Sequence, residues 1–178
     1  MPNNSYDPIA VLALNPSLDI SYEVTQMLVD QKIPSLNSRY EPGGNGINIS
    51  QTLTRLNVPV KCSCIVAGHI GEFLLQLLQS ELDELHHVAI DGESRINTTV
   101  MQRSPQGLYE VDGSGPEVSV AVLHDIEEHF LADCGDGYGI MSGSVPPGVP
   151  EDTYGRLAKK ISAQGGRAVI DAYGVVLE

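Results

Sequence analysis

Four short apolar runs, separated by stretches of helical periodicity, constrain this chain more than any other feature. Ile9 to Leu14, Val58 to Val66, Gly137 to Met141 and Arg167 to Ile170 have the length of strands and are bounded by turn residues such as Asn15-Pro16. Between them, apolar residues recur at helical spacing. Asn48 to Leu56 carries Ile49, Leu53 and Leu56, and Gly71 to Leu82 carries Phe73, Leu74, Leu77 and Leu78; Val118 to Leu131 and Glu151 to Gln164 follow the same pattern. Strands alternating with helices predict a parallel sheet covered on both faces, an α/β fold.

Two stretches break the alternation. Ile20 to Tyr40 and Arg95 to Val111 hold short β-prone pieces (Ile20–Val24, Asn97–Met101, Leu108–Val111) separated by turn residues such as Pro105 and Gly107. They read as a small antiparallel sheet inserted into the α/β layer, with an apolar side that needs a ligand cleft or another subunit to cover it. No internal repeat or low-complexity run divides the chain, so residues 1–178 read as part of one domain. That length supports a real core, burying roughly 70% of the surface that the unfolded chain exposes.

Charge and cysteine usage exclude several classes. A formal charge of −13 argues against a general nucleic-acid or anionic-membrane surface, which needs the opposite field. Met1 to Tyr6 shows no basic region followed by an apolar one, and no apolar run approaches bilayer length, so the expectation is a cytoplasmic protein. Cys62, Cys64 and Cys134 are odd in number and lack C-x-x-C spacing, which points to free buried thiols. The five histidines are scattered without the i,i+4 pairing of a helical metal site, and no metal is expected on them.

The segment Glu41-Pro-Gly-Gly-Asn-Gly-Ile-Asn-Ile-Ser50 runs a Pro-Gly-Gly turn directly into a buried helical pattern. Free N–H groups and the positive end of a helix dipole favour a phosphate or sugar oxygen at such a junction. It is neither a P-loop, for want of Lys-Ser or Lys-Thr, nor a dinucleotide fingerprint, for want of the third glycine. A generic nucleotide-binding domain is therefore a weak reading. Polar groups also gather at strand carboxyl ends, where open α/β sheets bind ligands: Asn15, Ser17 and Asp19; Gly68 and Gly71; Ser142 and Ser144; Asp171.

Leu14-Asn-Pro-Ser-Leu-Asp19, Glu41-Pro-Gly-Gly-Asn-Gly-Ile-Asn48, Arg95-Ile-Asn97 and Ser142-Gly-Ser-Val-Pro-Pro-Gly148 occur in order and in register. In this the chain resembles the first half to three-fifths of the phosphofructokinase B branch of the ribokinase-like carbohydrate kinases. Its motifs are most similar to the 1-phosphofructokinase, tagatose-6-phosphate kinase and minor 6-phosphofructokinase group. The resemblance implies a ribokinase-like αβα layer with a β-sheet lid over the sugar, its segments falling at about 17–41 and 95–113. It also implies a homodimer through that lid, and transfer of the γ-phosphoryl of ATP, with Mg2+, to a hexose phosphate.

Carried over by that resemblance, Asp19 accepts hydrogen bonds from sugar hydroxyls, and Gly43, Gly44 and Asn48 form the sugar-binding loop. Arg95 faces the phosphate already on the substrate, with Lys32 as a second phosphate contact, and Ser142 and Ser144 border the sugar. The bland alternatives are a turn Asp, a helix-capping Asn48, surface Arg95 and Lys32, and serines capping the helix near Glu151. Asn45 stands where many relatives carry Lys, and Ser50-Gln51 where they carry Ala-Arg, which favours a neutral sugar or nucleoside as the alternative substrate. The family's nucleotide pocket, magnesium motif and catalytic base come from its second half, and no Gly-Ala-Gly-Asp segment occurs here. A non-catalytic sugar-binding or dimerisation module, or an inactive fragment, is thus the alternative function. The sheet is also expected to leave an apolar edge after Asp171.

Overall fold

A computed structural model describes residues 7–172. In chain order the elements are β1 (Ile9–Ala13), β2 (Ser17–Val24), β3 (Asn37–Gly43), α1 (Asn45–Arg55), β4 (Lys61–Ala67), α2 (Gly68–Leu78) and β5 (Glu84–Ile90). They continue with β6 (Arg95–Gln102), β7 (Gly107–Val111), α3 (Val120–Cys134), β8 (Tyr138–Ser142), α4 (Thr153–Ala163) and β9 (Arg167–Asp171). Five strands form a wholly parallel sheet in the order β5-β4-β1-β8-β9. The chain builds outward from β1 to β5 on one side, then returns to lay β8 against the other flank of β1. That reversal opens a crevice beyond the carboxyl ends of β1 and β8, the position where open parallel sheets bind ligands.

Side-chain alternation along the central strands feeds two cores. From β1 and the residue after it, Ala10, Leu12 and Leu14 join Phe130 of α3 and Tyr154, Leu157 and Ile161 of α4 on one face. Ala13, with Cys62, Cys64 and Val66 of β4, joins Ile47 of α1 and Leu74 and Leu78 of α2 on the other. Phe130 and Tyr154 are completely buried, and large side chains of this kind each contribute about 1.5–3 kcal/mol on leaving water. Ser119 caps α3, its Oγ accepting from the Val122 N–H. The buried carboxylate of Glu127 is paired with Arg156 and Lys160 of α4, which ties α3 to α4 without stranding a charge. Among the described residues no helix is long and apolar enough to cross a membrane.

A second, four-stranded sheet has the order β3-β2-β6-β7. The expectation of an antiparallel sheet is corrected here: β2 pairs antiparallel with β3 and β6 with β7, but the central pair β2·β6 is parallel. Seventy residues separate those two strands, and β3, α1, β4, α2 and β5 all lie between them, so no hairpin signal marks the pairing. A further difference is β5, which the apolar-run reading left unassigned. Its sequence Glu-Leu-His-His-Val-Ala-Ile alternates in burial and lies at an edge, so it lacks the continuous apolar signature of β1 and β4. The helices also start earlier or later than periodicity indicates, α1 at Asn45 rather than Asn48 and α4 at Thr153 rather than Glu151.

Candidate active site, acceptor side

The tight turn from β1 into β2, residues 14–17, places the start of the small sheet directly over the crevice. Along β2, period-two alternation puts Ser17, Asp19 and Ser21 on one face, and register sets Asp19 between Glu41 of β3 and Asn97 of β6. The Asp19 carboxylate accepts from the Ser17 hydroxyl at 2.7 Å and from the Asn97 amide at 3.1 Å, both through Oδ1. Asn97 is in turn held from its other end, its Oδ1 accepting from the Gly113 N–H at 3.2 Å. One carboxylate oxygen is thus fixed by the protein, and among the described residues no hydrogen bond is made to Oδ2.

Gly43 and Gly44 make room for this arrangement. A Cβ at Gly43 would lie 2.1 Å from Asp19 Oδ2, so any side chain there displaces the carboxylate. Gly44, the residue before α1, has φ +95° and a backbone that passes against Pro16, which a larger residue would strain. From there α1 begins, and Asn48 lies inside its first turn, its N–H donating to the Gly44 carbonyl. Asn48 is therefore not the helix cap that its residue type suggested. It shares with Asp19 a cleft of about 300 Å3 between the small sheet and α1, lined also by Gln51, Arg55, Glu81 and Thr99.

On the other side of the crevice, Arg95 donates from Nε to the Asn15 carbonyl at 2.9 Å. The contact uses the inner N–H, and the paired terminal amines are the part of the fork that engages a phosphate bidentately. Ser144 accepts from the Asn15 amide at 3.2 Å. Ser142, the last residue of β8, donates to Asp171 Oδ2 at 2.8 Å, and Asn45 reaches the same oxygen at 3.5 Å. Neither serine caps α4, whose capping position is Asp152.

Of the residues expected at the site, Asp19, Gly43, Gly44, Arg95 and Ser144 gather around the 14–17 turn, Asn48 shares the cleft with Asp19, and Ser142 sits at the mouth of β8. Lys32 stands apart. It is exposed in the connection from β2 to β3 and, among the described residues, forms no hydrogen bond or ion pair. Ser17 was read only as a polar group at the end of the first strand, and Asn97, Thr99 and the Gln51–Glu81 pair were given no role at the site. For Asn97 and Thr99 the signal was available, since both share strand parity with Arg95. Gln51 and Glu81 meet only through tertiary packing, with Nε2 to Oε2 at 2.5 Å.

The thiols play no part. All three cysteines are free and buried, and burial pushes Cys62 up to about 11 and Cys64 well above its usual value, so neither is a thiolate at neutral pH. Among the described residues no three His, Cys, Asp or Glu side chains converge to hold a metal ion.

A parallel sheet of this order, joined to a small sheet whose polar face overhangs the switch-point crevice, defines a ribokinase-like α/β chain with a β lid. The same fold appears in the ribokinase of Arabidopsis thaliana complexed with ribose and ATP, with a TM-score of 0.68 at 16% identity over 94% of this chain and 54% of that one. No protein-family model matches the chain. The 1-phosphofructokinase of Bacillus subtilis is 31% identical over 169 residues, 95% of this chain and 55% of the relative. The phosphofructokinase-2 of Escherichia coli in complex with substrates and products superposes with a TM-score of 0.89 at 27% identity, over 96% of this chain and 55% of that one. The chain belongs to the phosphofructokinase B-type carbohydrate kinases and corresponds to their N-terminal portion. It spans about half the length of the curated relative it matches.

Proposed function

We propose that this chain supplies the acceptor side of an ATP-dependent sugar-phosphate kinase: it binds a hexose phosphate and orients the hydroxyl that receives the γ-phosphoryl group. The observation that carries the reading is the constrained Asp19 carboxylate, held by Ser17 and Asn97, shielded by Gly43 and open to a ligand at Oδ2. Asp19 and Asn48 accept and donate to sugar hydroxyls, Gly43 and Gly44 bring backbone amides close, and Ser142 and Ser144 border the ring. Arg95, with its Nε anchored, grips the phosphate already on the substrate. Lys32 contributes only if the β2–β3 connection folds over the ligand. ATP and Mg2+ are expected from parts of the kinase that these residues do not include, as is the catalytic base.

Isothermal titration with fructose 6-phosphate, fructose 1-phosphate and tagatose 6-phosphate, against free fructose and ATP-Mg2+, tests the reading. Saturable binding of one sugar phosphate without nucleotide supports it. Equal effects of Arg95→Ala on a sugar phosphate and on its free sugar would remove Arg95 from the phosphate and favour a neutral substrate.

A second reading, association of two copies through the lid, has its own observation. Ile96, Tyr109 and Val111 lie on the lid face opposite Asp19 and are exposed. A homodimer that covers that face follows, and sedimentation of Val111→Glu checks it: a monomer supports the contact, an unchanged dimer rules out this face.

A further inference from the structure

Asn15 carries a buried polar group that the acceptor-site reading does not use. The residue is only 7% exposed, and its Oδ1 is shut away from solvent without a hydrogen-bond partner among the described residues. Its Nδ2 donates twice, to the Ser114 carbonyl and to Ser144 Oγ, each at 3.2 Å. Reversing the amide would set its oxygen against the Ser114 carbonyl oxygen, acceptor against acceptor, so the orientation is settled by its neighbours. Gly115, with φ +86°, lies so close that a Cβ there would come within 2.3 Å of Oδ1. A buried amide left half satisfied demands a reason, since an apolar residue of similar size avoids the penalty.

The reason lies in what the contacts join. Ser114 and Gly115 follow β7, the last strand of the lid, while Ser144 follows β8 of the central sheet. The Asn15 carbonyl holds Arg95, the first residue of β6. One residue at the root of β2 therefore ties the lid's entry, its exit and the core loop together. The contact to Ser144 has a chemical consequence as well. A hydroxyl oxygen that accepts from an amide N–H cannot return its proton to that N–H, so the Ser144 proton is directed elsewhere, available to an oxygen of a ligand.

We propose that Asn15 is a positioning residue, a latch that fixes the lid to the core through Ser114 and Ser144 and commits the Ser144 hydroxyl to donate toward the bound acceptor. The second part rests on the reading of Ser144 as a sugar-site residue; the first does not.

Hydrogen exchange of the full chain without ligand separates them. Asn15→Ala should raise exchange in β2, β6, β7 and residues 112–116 on the order of tenfold, about the net worth of one hydrogen bond, with β1, β4 and β8 unchanged. Unchanged lid exchange, or a uniform rise across both sheets, overturns the latch. Ser144→Ala removes one acceptor and leaves the buried amide in place, so it carries the test if Asn15→Ala does not fold; a several-fold rise in the same segments is expected, and none overturns it. Titration with fructose 6-phosphate then reads the hydroxyl. Asn15→Ala and Ser144→Ala should weaken binding by similar factors, with the double variant no weaker than either; additive losses overturn the directed donor. If the unaltered chain binds no sugar phosphate while Asn15→Ala still loosens the lid, the acceptor-site reading fails and the latch stands.

Discussion

The two sheets of this molecule are built to opposite specifications. The central sheet is parallel, and its inner strands β1 and β4 are buried on both faces by four helices. The lid is mixed in direction, one of its faces carries Ser17, Asp19, Asn97 and Thr99, and β3 and β7 are largely exposed. A sheet with helices on both sides has no free face for a ligand, while a sheet with one polar face cannot hold itself together without a core beneath it. The proposed acceptor site therefore lies where the second rests on the first, at the 14–17 turn. Stability and binding should respond to mutation in different places.

The largest expected effect tests the core side. Phe130 is fully buried between α3 and the β1–β8 face. Phe130→Ala should cost about 3–5 kcal/mol in urea unfolding. A loss below about 1 kcal/mol would mean that the lid shares the structural burden and would break the contrast.

Alkaline pH gives the next effect. Burial moves the Cys62 thiol from its ordinary 9.0 to about 11, with Cys64 shifted the same way. Between those values the unfolded chain has released a proton that the folded chain retains at Cys62, so the contribution of that thiol falls as pH rises from about 9 and levels off above about 11. Two units for Cys62 amount to roughly 2–3 kcal/mol. Urea midpoints at pH 8 and pH 10.5 should show the loss, and Cys62→Ala should reduce the slope. Lid residues contribute no thiol to this window, and a slope that survives the substitution of both β4 cysteines would point to Cys134 and Tyr154, core groups that burial shifts in the same direction.

What the sequence made legible follows the same division. The four short apolar strands and their helices were readable because burial of the inner strands on both faces leaves a continuous signal, and bounds moved by only a few residues, as with β4 at Lys61 rather than Val58. The lid was legible as a break in alternation, but its central parallel pairing was not, because strand partners 78 residues apart, such as Asp19 and Asn97, leave no local trace. The turn motifs pointed to Asp19, Gly43 and Arg95. The cleft wall from Gln51 and Glu81 was hidden, since it exists only when the turn after α2 comes beside α1. Lys32 shows the converse: a residue outside the motifs, carried over by the resemblance alone, that the fold leaves in the solvent.

The junction itself predicts a mixed response. Gly43→Val should cost about 1–3 kcal/mol, the range for forcing atoms into an occupied space, because its Cβ would overlap the Asp19 carboxylate. Sugar-phosphate binding should disappear with it. Thermal melting and titration on the same preparation check both, and retained binding would show that Oδ2 is not where the ligand lies.

Asp19→Asn should affect stability least and binding most selectively, which makes it the sharpest probe of the contrast. The side chain keeps its size and its place on a partly exposed strand, so unfolding should change by no more than about 1 kcal/mol. Its hydrogen bonding changes sign at one position. The carboxylate accepts from Ser17 and Asn97 through Oδ1 and leaves Oδ2 for the ligand. An Asn in its place keeps its carbonyl oxygen on those two protein donors, since turning the amide would set N–H against the Asn97 N–H. Its NH2 then occupies the Oδ2 position and offers a donor to a ligand hydroxyl that had donated. The hydroxyl can turn to accept, but the charge-assisted bond is lost, and such bonds are worth about 1.5–3 kcal/mol. Affinity for the sugar phosphate should therefore fall by roughly ten- to a hundredfold while the melting curve stays near that of the unaltered chain. If both fall together, Asp19 is a structural member of the lid rather than its binding group, and the separation of tasks between the two sheets is wrong at the very residue that most clearly expresses it.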